Sequence, residues 1–290
     1  MELVTFGIQI LNSVQYGLVL FLVASGLTLV FGILRVINLA HGAFYMLGAY
    51  LAYWITASTG SFSLALLGGT AIAFVLGLLL EDLFVRRLYG RDHLAQVLLS
   101  FGLILVIDEA RHILFGKDVH SVAIPDAFRG SIQLTDVQSY PLYRLWVCLF
   151  CLVVAGLIFF VIQRTRIGMM IRAGAENRDM TRALGIPFET LNRYVFAAGI
   201  ALSALAGAIV APISTVFPSM GDRMLILSFV VVVLGGIGSV TGAAIGAILI
   251  GLADTFGKVL FPGLAGMTIY FVMAVVLLWR PNGIMGRKDA

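Results

Sequence analysis

The sequence predicts an all-α, polytopic integral membrane protein with eight to nine transmembrane helices, some broken or re-entrant, and one further helix on the cytoplasmic side. Composition is the first observation behind this. Of 290 residues, 60% are hydrophobic and 12% are charged, with a mean hydropathy of +1.03. Soluble domains carry about 25% charged residues, so a globular chain of this size could not cover its surface with so few. A lipid-facing surface needs no such cover. The second observation is a series of charge-free runs of bilayer length, and the third is that the basic residues fall between those runs, as loops at a membrane collect them. The net charge of +4 is therefore spread through loops and marks no nucleic-acid partner.

Taken in order, the charge-free run Leu3–Leu34 opens the chain. No basic residue precedes it, and at 32 residues it is too long for the apolar core of a cleaved signal. It reads as a retained first span. Val36–Leu80 holds two helices with a turn near Thr59-Gly60-Ser61. Leu94–Ile107 is short, so its helix must run on past Asp108 and Glu109 to reach the roughly 20 residues a bilayer needs. Leu145–Gln163 makes a fifth span, and Tyr194–Gly221 a sixth, stopped by Pro212 and Pro218. Met224–Ala253 is too long for one helix and too short for two, and counts as one span, or as two if it folds as a broken or re-entrant pair. Val259–Trp279 closes the series.

The chain reads as a single membrane domain over residues 1–290. If the loop 164–193 is cytoplasmic and the spans alternate from it, thirteen basic residues lie inside (Arg35, Arg287 and Lys288 among them) and six outside. That imbalance favours an external N-terminus, a cytoplasmic C-terminus and a main external loop over 116–140. Membrane lipid is the first partner implied.

Small and polar residues mark special places. Gly199, Ser203, Gly207 and Ala211 recur every four residues, as do Gly238, Gly242 and Gly246. Such ridges let backbones approach closely in lipid, either at a subunit seam or inside the bundle. Asn38 and His41 interrupt an apolar stretch. They fit a broken helix lining a translocation path or a cytoplasmic turn with Asn38 capping the next helix. Ser239 and Thr241, within the glycine-rich run Leu234–Ala247, fit a half-helix aiming its amides at an anionic group, or a plain turn. Asp108, Arg111 and His112 share a helix face, as do Asp254 and Lys258, and both sets read first as ion pairs near helix ends. Cys148 and Cys151 form a CxxC spacing, but inside an apolar helix they read as buried small side chains.

The loop 164–193 is the least membrane-like part of the chain. Six arginines stand there against Glu176, Asp179 and Glu189, helix formers run from Met169 to Leu184, and Gly185-Ile186-Pro187 supplies a stop. A short amphipathic helix along the membrane surface follows. By charge alone it could equally be a solvated basic loop at the headgroups. No G-x-x-x-x-G-K-[ST] phosphate loop occurs, so any energy from ATP must come through another polypeptide.

Four segments carry a family resemblance: GLTLVFGILRVINLAHGAFYMLGAYLA (26–52), TRIGMMIRAGAENRDMTRALGIP (165–187), LGGIGSVTGAAIGA (234–247) and RPNGIMG (280–286). In this order they resemble the branched-chain amino acid ABC transporter permeases, and the stretch 38–46 resembles the LivH-type subunit more than the LivM-type. The resemblance implies a subunit without enzymatic activity or cofactor, in a bacterial inner membrane. It implies a LivM-like second permease, two cytoplasmic ATP-binding subunits and a periplasmic solute-binding protein as partners. It makes the loop a coupling segment with Thr165, Gly168, Arg172, Ala173, Glu176, Asn177, Ala183 and Gly185 in contact with the ATPase. Solutes of such systems range over branched-chain amino acids, amides, urea and aromatic acids. An ion-coupled transporter or channel acting alone is the competing class. It would want ionisable groups at mid-membrane, whereas the acids here fall near span ends or in loops. An intramembrane enzyme would need a convergent nucleophile, base or metal set, and none is visible.

Overall fold

The computed structural model describes residues 2–34, 36–133 and 138–286. Arg35, Arg287, Lys288 and residues 134–137 of the predicted external loop lie outside the described residues.

The described chain is nearly all helix. Helix α1 (Glu2–Leu34) is the single long first element the charge-free run predicts. α2 (His41–Thr59) and α3 (Phe62–Leu83) follow, divided at Gly60, whose φ of 69° is the left-handed value glycine tolerates, and at Ser61, whose hydroxyl caps α3. α4 (His93–Phe115) runs through Asp108 and Glu109 as expected. Residues 116–141 then carry a small hairpin, β1 (Ser131–Gln133) with β2 (Ser139–Pro141), at the mouth of α5 (Leu142–Arg164). Two short helices, α6 (Arg166–Glu176) and α7 (Arg178–Ala183), lead to α8 (Phe188–Val210), which ends before Pro212. α9 (Met220–Gly235) and α10 (Val240–Leu260) occupy the run that was too long for one helix, and α11 (Thr268–Trp279) is the last.

Five of these helices, α1, α3, α5, α8 and α10, are each long and apolar enough to cross a bilayer. The final span is shorter than its charge-free run suggests. Pro262, Gly263 and Gly266 hold residues 262–267 in a 3-10 turn and a further turn, so α11 keeps twelve residues. α10, in contrast, runs past the charged residues that end its apolar run and buries the Asp254 carboxylate to 3% exposure. Glu81, near the end of α3, is likewise buried, at 1% exposure, so two acids near helix ends are enclosed by protein.

α1 is the axis of the bundle, with α8, α10, α9 and α5 packed around it. α2 lies against α8 and α3. Both small-residue ridges are packing surfaces within the chain. The α8 ridge meets α1 at Gly26–Gly199 and α2 at Gly207, where any Cβ would be driven into the Tyr45 carbonyl. Ser203 Oγ donates to the His41 carbonyl at 2.9 Å. The α10 ridge meets α9, Gly242 against Gly235. Without a hydrophobic force between helices in lipid, this backbone-to-backbone approach supplies the dispersion contacts that hold the bundle.

Candidate functional site

Two features at one end of the bundle lie together: the α6–α7 segment, and a cavity of about 860 Å³ beneath it.

The segment begins where Thr165 stops α5. Its Oγ1 donates to the Val161 carbonyl at 2.6 Å and accepts from the Gly168 amide at 3.2 Å, so one residue ends one helix and starts the next. The turn is so tight that a Cβ at Gly168 would collide with the carbonyls of Val161 and Ile162. Arg172 reaches back to the Ile162 carbonyl, one of the last carbonyls of α5 left without a helical partner. The single helix expected over Met169–Leu184 is divided at Asn177. Its Oδ1 accepts from the Met180 amide at 3.0 Å, a cap that competes with an uninterrupted helix at this residue type. α7 ends as the sequence requires. The Gly185 amide bonds to the Arg182 carbonyl and the Ile186 amide to the Thr181 carbonyl, around a Gly185 φ of 79°.

Sequence reasoning missed the residue that ties this segment to the bundle axis. Arg178 Nε donates to the Ile33 carbonyl at 2.9 Å, in the last turn of α1, and Nη2 reaches the same oxygen. No basic residue stands in the last turn of α1 itself. Arg178 therefore supplies, from another helix, the positive charge that a helix C-terminus favours. Arg178 and Arg182 also stack on the Phe188 ring at 5.6 and 5.5 Å, and Gly174 packs against that ring. Beyond it, Arg193 pairs with Asp82 at 2.7 Å and Arg86 with Glu189, joining α3 and the 3-10 turn after it (Val85–Leu88) to the first turns of α8. The signal in the sequence was an arginine after a capping Asn; its target, a carbonyl 145 positions away, left none.

The cavity joins two predicted sets. Arg172 and Glu176 line it from α6, Ser239 and Thr241 from the start of α10, and Thr28 and Gly32 from α1. Ser239 is the N-cap of α10, accepting from the Gly242 amide at 3.0 Å. Gly236 and Gly238, with φ of 100° and 79°, make the turn before it. The RPNGIMG segment closes the other side of this turn: the amides of Ile284 and Met285 donate to the Leu234 and Gly235 carbonyls at 2.9 and 3.0 Å, capping α9. Thr165, Gly168 and Ala173 sit at the α5–α6 turn and its helix, off the cavity, and Asn177, Ala183 and Gly185 are exposed beyond it. The outer face of the segment also presents Met169, Met180 and Leu184, the last 72% exposed.

Asn38 and His41 are elsewhere. His41 Nε2 donates to the Val23 carbonyl at 2.9 Å, so α2 begins beside a residue eleven positions before the end of α1. At 1.5 Å per residue the chain thus climbs back about 16 Å into the bundle before α2 starts. Asn38 Oδ1 accepts from the Ala40 amide at 3.1 Å and shapes this turn, while Ala40 is the N-cap. Both side chains are buried in the interior, and neither lines the cavity. Among the ion pairs, Arg111 meets Asp108 at 2.9 Å as expected, whereas His112 stands nearer Glu109, at 3.8 Å. Lys258 meets Asp254 as expected. Both cysteines are free thiols in α5, with Cys151 buried.

A family profile described as branched-chain amino acid transport system / permease component matches residues 9–278. The high-affinity branched-chain amino acid transport system permease protein BraD of Pseudomonas aeruginosa is 33% identical over 97% of this chain and 96% of its own length. The corresponding LivH of Escherichia coli is 30% identical over 97% of this chain and 96% of its own. LivM of the same organism is 26% identical over 90% of this chain and 66% of its own length. No solved structure matches the chain.

Proposed function

From its place among the branched-chain amino acid transport system permeases, the family to which this chain belongs, we propose that it is the LivH-type membrane subunit of a binding-protein-dependent ABC importer for branched-chain amino acids or close relatives. One observation carries the mechanism: α6 roofs a cavity whose other walls include the ends of α1 and α5 and the start of α10. In this reading residues 1–290 are one permease domain with eight or nine spans, drawn from the nine longer helices. The segment lies in the cytoplasm, the C-terminus is inside and the N-terminus outside. The bulk of basic residues in 164–193 supports that orientation.

The proposed mechanism uses no covalent chemistry in this chain. One of two ATP-binding subunits receives the exposed face of the segment, with Thr165, Gly168, Arg172, Ala173, Glu176, Asn177, Ala183 and Gly185 forming or shaping the contact. Because Arg172 holds the end of α5 and Arg178 the end of α1, a push on the segment reaches both helices as a rigid-body shift. The cavity opens or shuts as α1 and α10 separate at the Ser239 turn, and Ser239 and Thr241 line the inner mouth of the path. A LivM-like permease completes the pore, and a periplasmic protein delivers the solute. Reconstitution tests this directly. Liposomes holding the permease pair, the ATPases and the binding protein take up L-leucine only with ATP; uptake by this chain alone would overturn the proposal.

A further inference from the structure

At the opposite end of the bundle from the α6–α7 segment lies a second cavity, of about 560 Å³, which the mechanism above does not use. Its polar corner is built around Asp254. This carboxylate is 3% exposed, yet it lies within α10, where an ionised group in a membrane bundle is expensive unless it serves a purpose. Lys258 holds Oδ2 by a charge-assisted hydrogen bond. Among the described residues Oδ1 has only an Arg223 nitrogen at 3.6 Å, beyond hydrogen-bond reach, so one oxygen of an acid that lines the cavity keeps acceptor capacity unused. Arg223 itself is 67% exposed at its side chain and reaches the corner from α9. Ser219, at the start of α9 on the same rim, has φ 65°, the one positive value at a non-glycine among the described residues. Strain of that kind persists where the surroundings enforce it, and α9 is what carries Arg223. One part of the remaining wall is apolar, with Val19, Val210, Ile213, Phe217 and Met220, and another is polar, with Gln9, Asn12, Gln15, Tyr16 and Arg144.

A carboxylate oxygen with capacity to spare, a loosely held guanidinium beside it and an apolar patch across from a polar rim suit a small molecule that carries both charges and an apolar side chain. We propose that this cavity is a low-affinity transit site for the zwitterion of an amino acid with a branched apolar side chain. Asp254 Oδ1 receives the ammonium group, Arg223 takes the carboxylate, and the aliphatic side chain lies on Ile213, Phe217 and Met220. The site deepens the importer reading and rests on it: the solute handed over by the binding protein is recognised once more before it passes along α1.

The test uses the assembled complex in nanodiscs, without binding protein, and saturation-transfer NMR with L-leucine as the probe. Wild type should show saturable binding that L-isoleucine displaces, while leucine methyl ester and 4-methylpentanoate, lacking one charge each, displace it poorly. Asp254→Asn should weaken L-leucine binding about tenfold, the loss of a charge-assisted contact. Arg223→Gln changes an exposed side chain with little risk to folding, and should weaken L-leucine while leaving the methyl ester unaffected. Equal binding by both variants and wild type, or equal displacement by the two singly charged analogues, would overturn the site. ATP-dependent uptake with the binding protein, measured in parallel, separates the two readings. If uptake needs the ATPases but no pocket variant alters binding, the transit site falls and the importer stands. Uptake by the chain alone would remove the importer reading first.

Discussion

The α8 ridge and the α6–α7 segment are neighbours along the chain and are held by opposite means. On the ridge, Gly199, Ser203 and Gly207 press backbone against backbone, and every position between Phe196 and Ile209 except three is buried. In the segment, most side chains are exposed, and attachment rests on a few directed bonds: Arg172 to the Ile162 carbonyl, Arg178 to the Ile33 carbonyl, and two guanidinium groups on one phenylalanine ring. Close packing resists displacement in every direction, because each atom has many partners. A segment attached at helix ends can move as a unit and take those ends with it. The contrast separates a frame from a lever.

The frame should break first and hardest. Gly207→Leu forces a side chain into the Tyr45 carbonyl and should destabilise the detergent-solubilised chain by about 3 kcal/mol, the upper range for overpacking. Thermal unfolding and membrane yield read this out, and an unchanged melting point would mean that α2 and α8 are not clamped there. On the lever, Arg178→Ala should leave insertion and melting nearly as in wild type while uptake falls about tenfold, the weight of a charge-assisted contact to a helix end. Arg178→Lys should recover only part, since a point charge cannot reproduce the two-nitrogen contact. Arg172→Ala and Glu176→Ala should each uncouple, with ATP hydrolysis retained and uptake reduced at equal protein level; equal uptake would remove the segment from the energy path. The smallest effect belongs to the boundary between the regions. Ser239→Ala removes the cap of α10 and should cost about 1 kcal/mol, seen as a slightly lower melting point.

The same division explains what the sequence made legible. Charge-free runs and caps are local, so the existence of the spans, the turn at Gly60–Ser61, the break before Ser239 and the stop at Gly185 could all be read in advance. One error of extent had a local cause that hydropathy underweights: Pro262 and the glycines after it shortened α11. The division of the predicted helix at Asn177 was also written locally, in a side chain that competes for its own backbone. What sequence could not supply was the pairing of distant groups. His41 on Val23, Arg178 on Ile33 and the RPNGIMG segment on the end of α9 depend on how helices are stacked, and no periodicity encodes that. The meeting of Arg172 and Glu176 with Ser239 and Thr241 at one cavity belongs to the same class.

The lever is tested most directly by asking which side of the membrane reaches it. In a chain lacking Cys148 and Cys151, Leu184→Cys places a thiol on the most exposed apolar position of the segment. A membrane-impermeant maleimide should label it in inside-out vesicles and not in right-side-out ones, and added ATPase subunits should protect it. Labelling from the exterior, or labelling that the ATPases leave unchanged, would contradict the account.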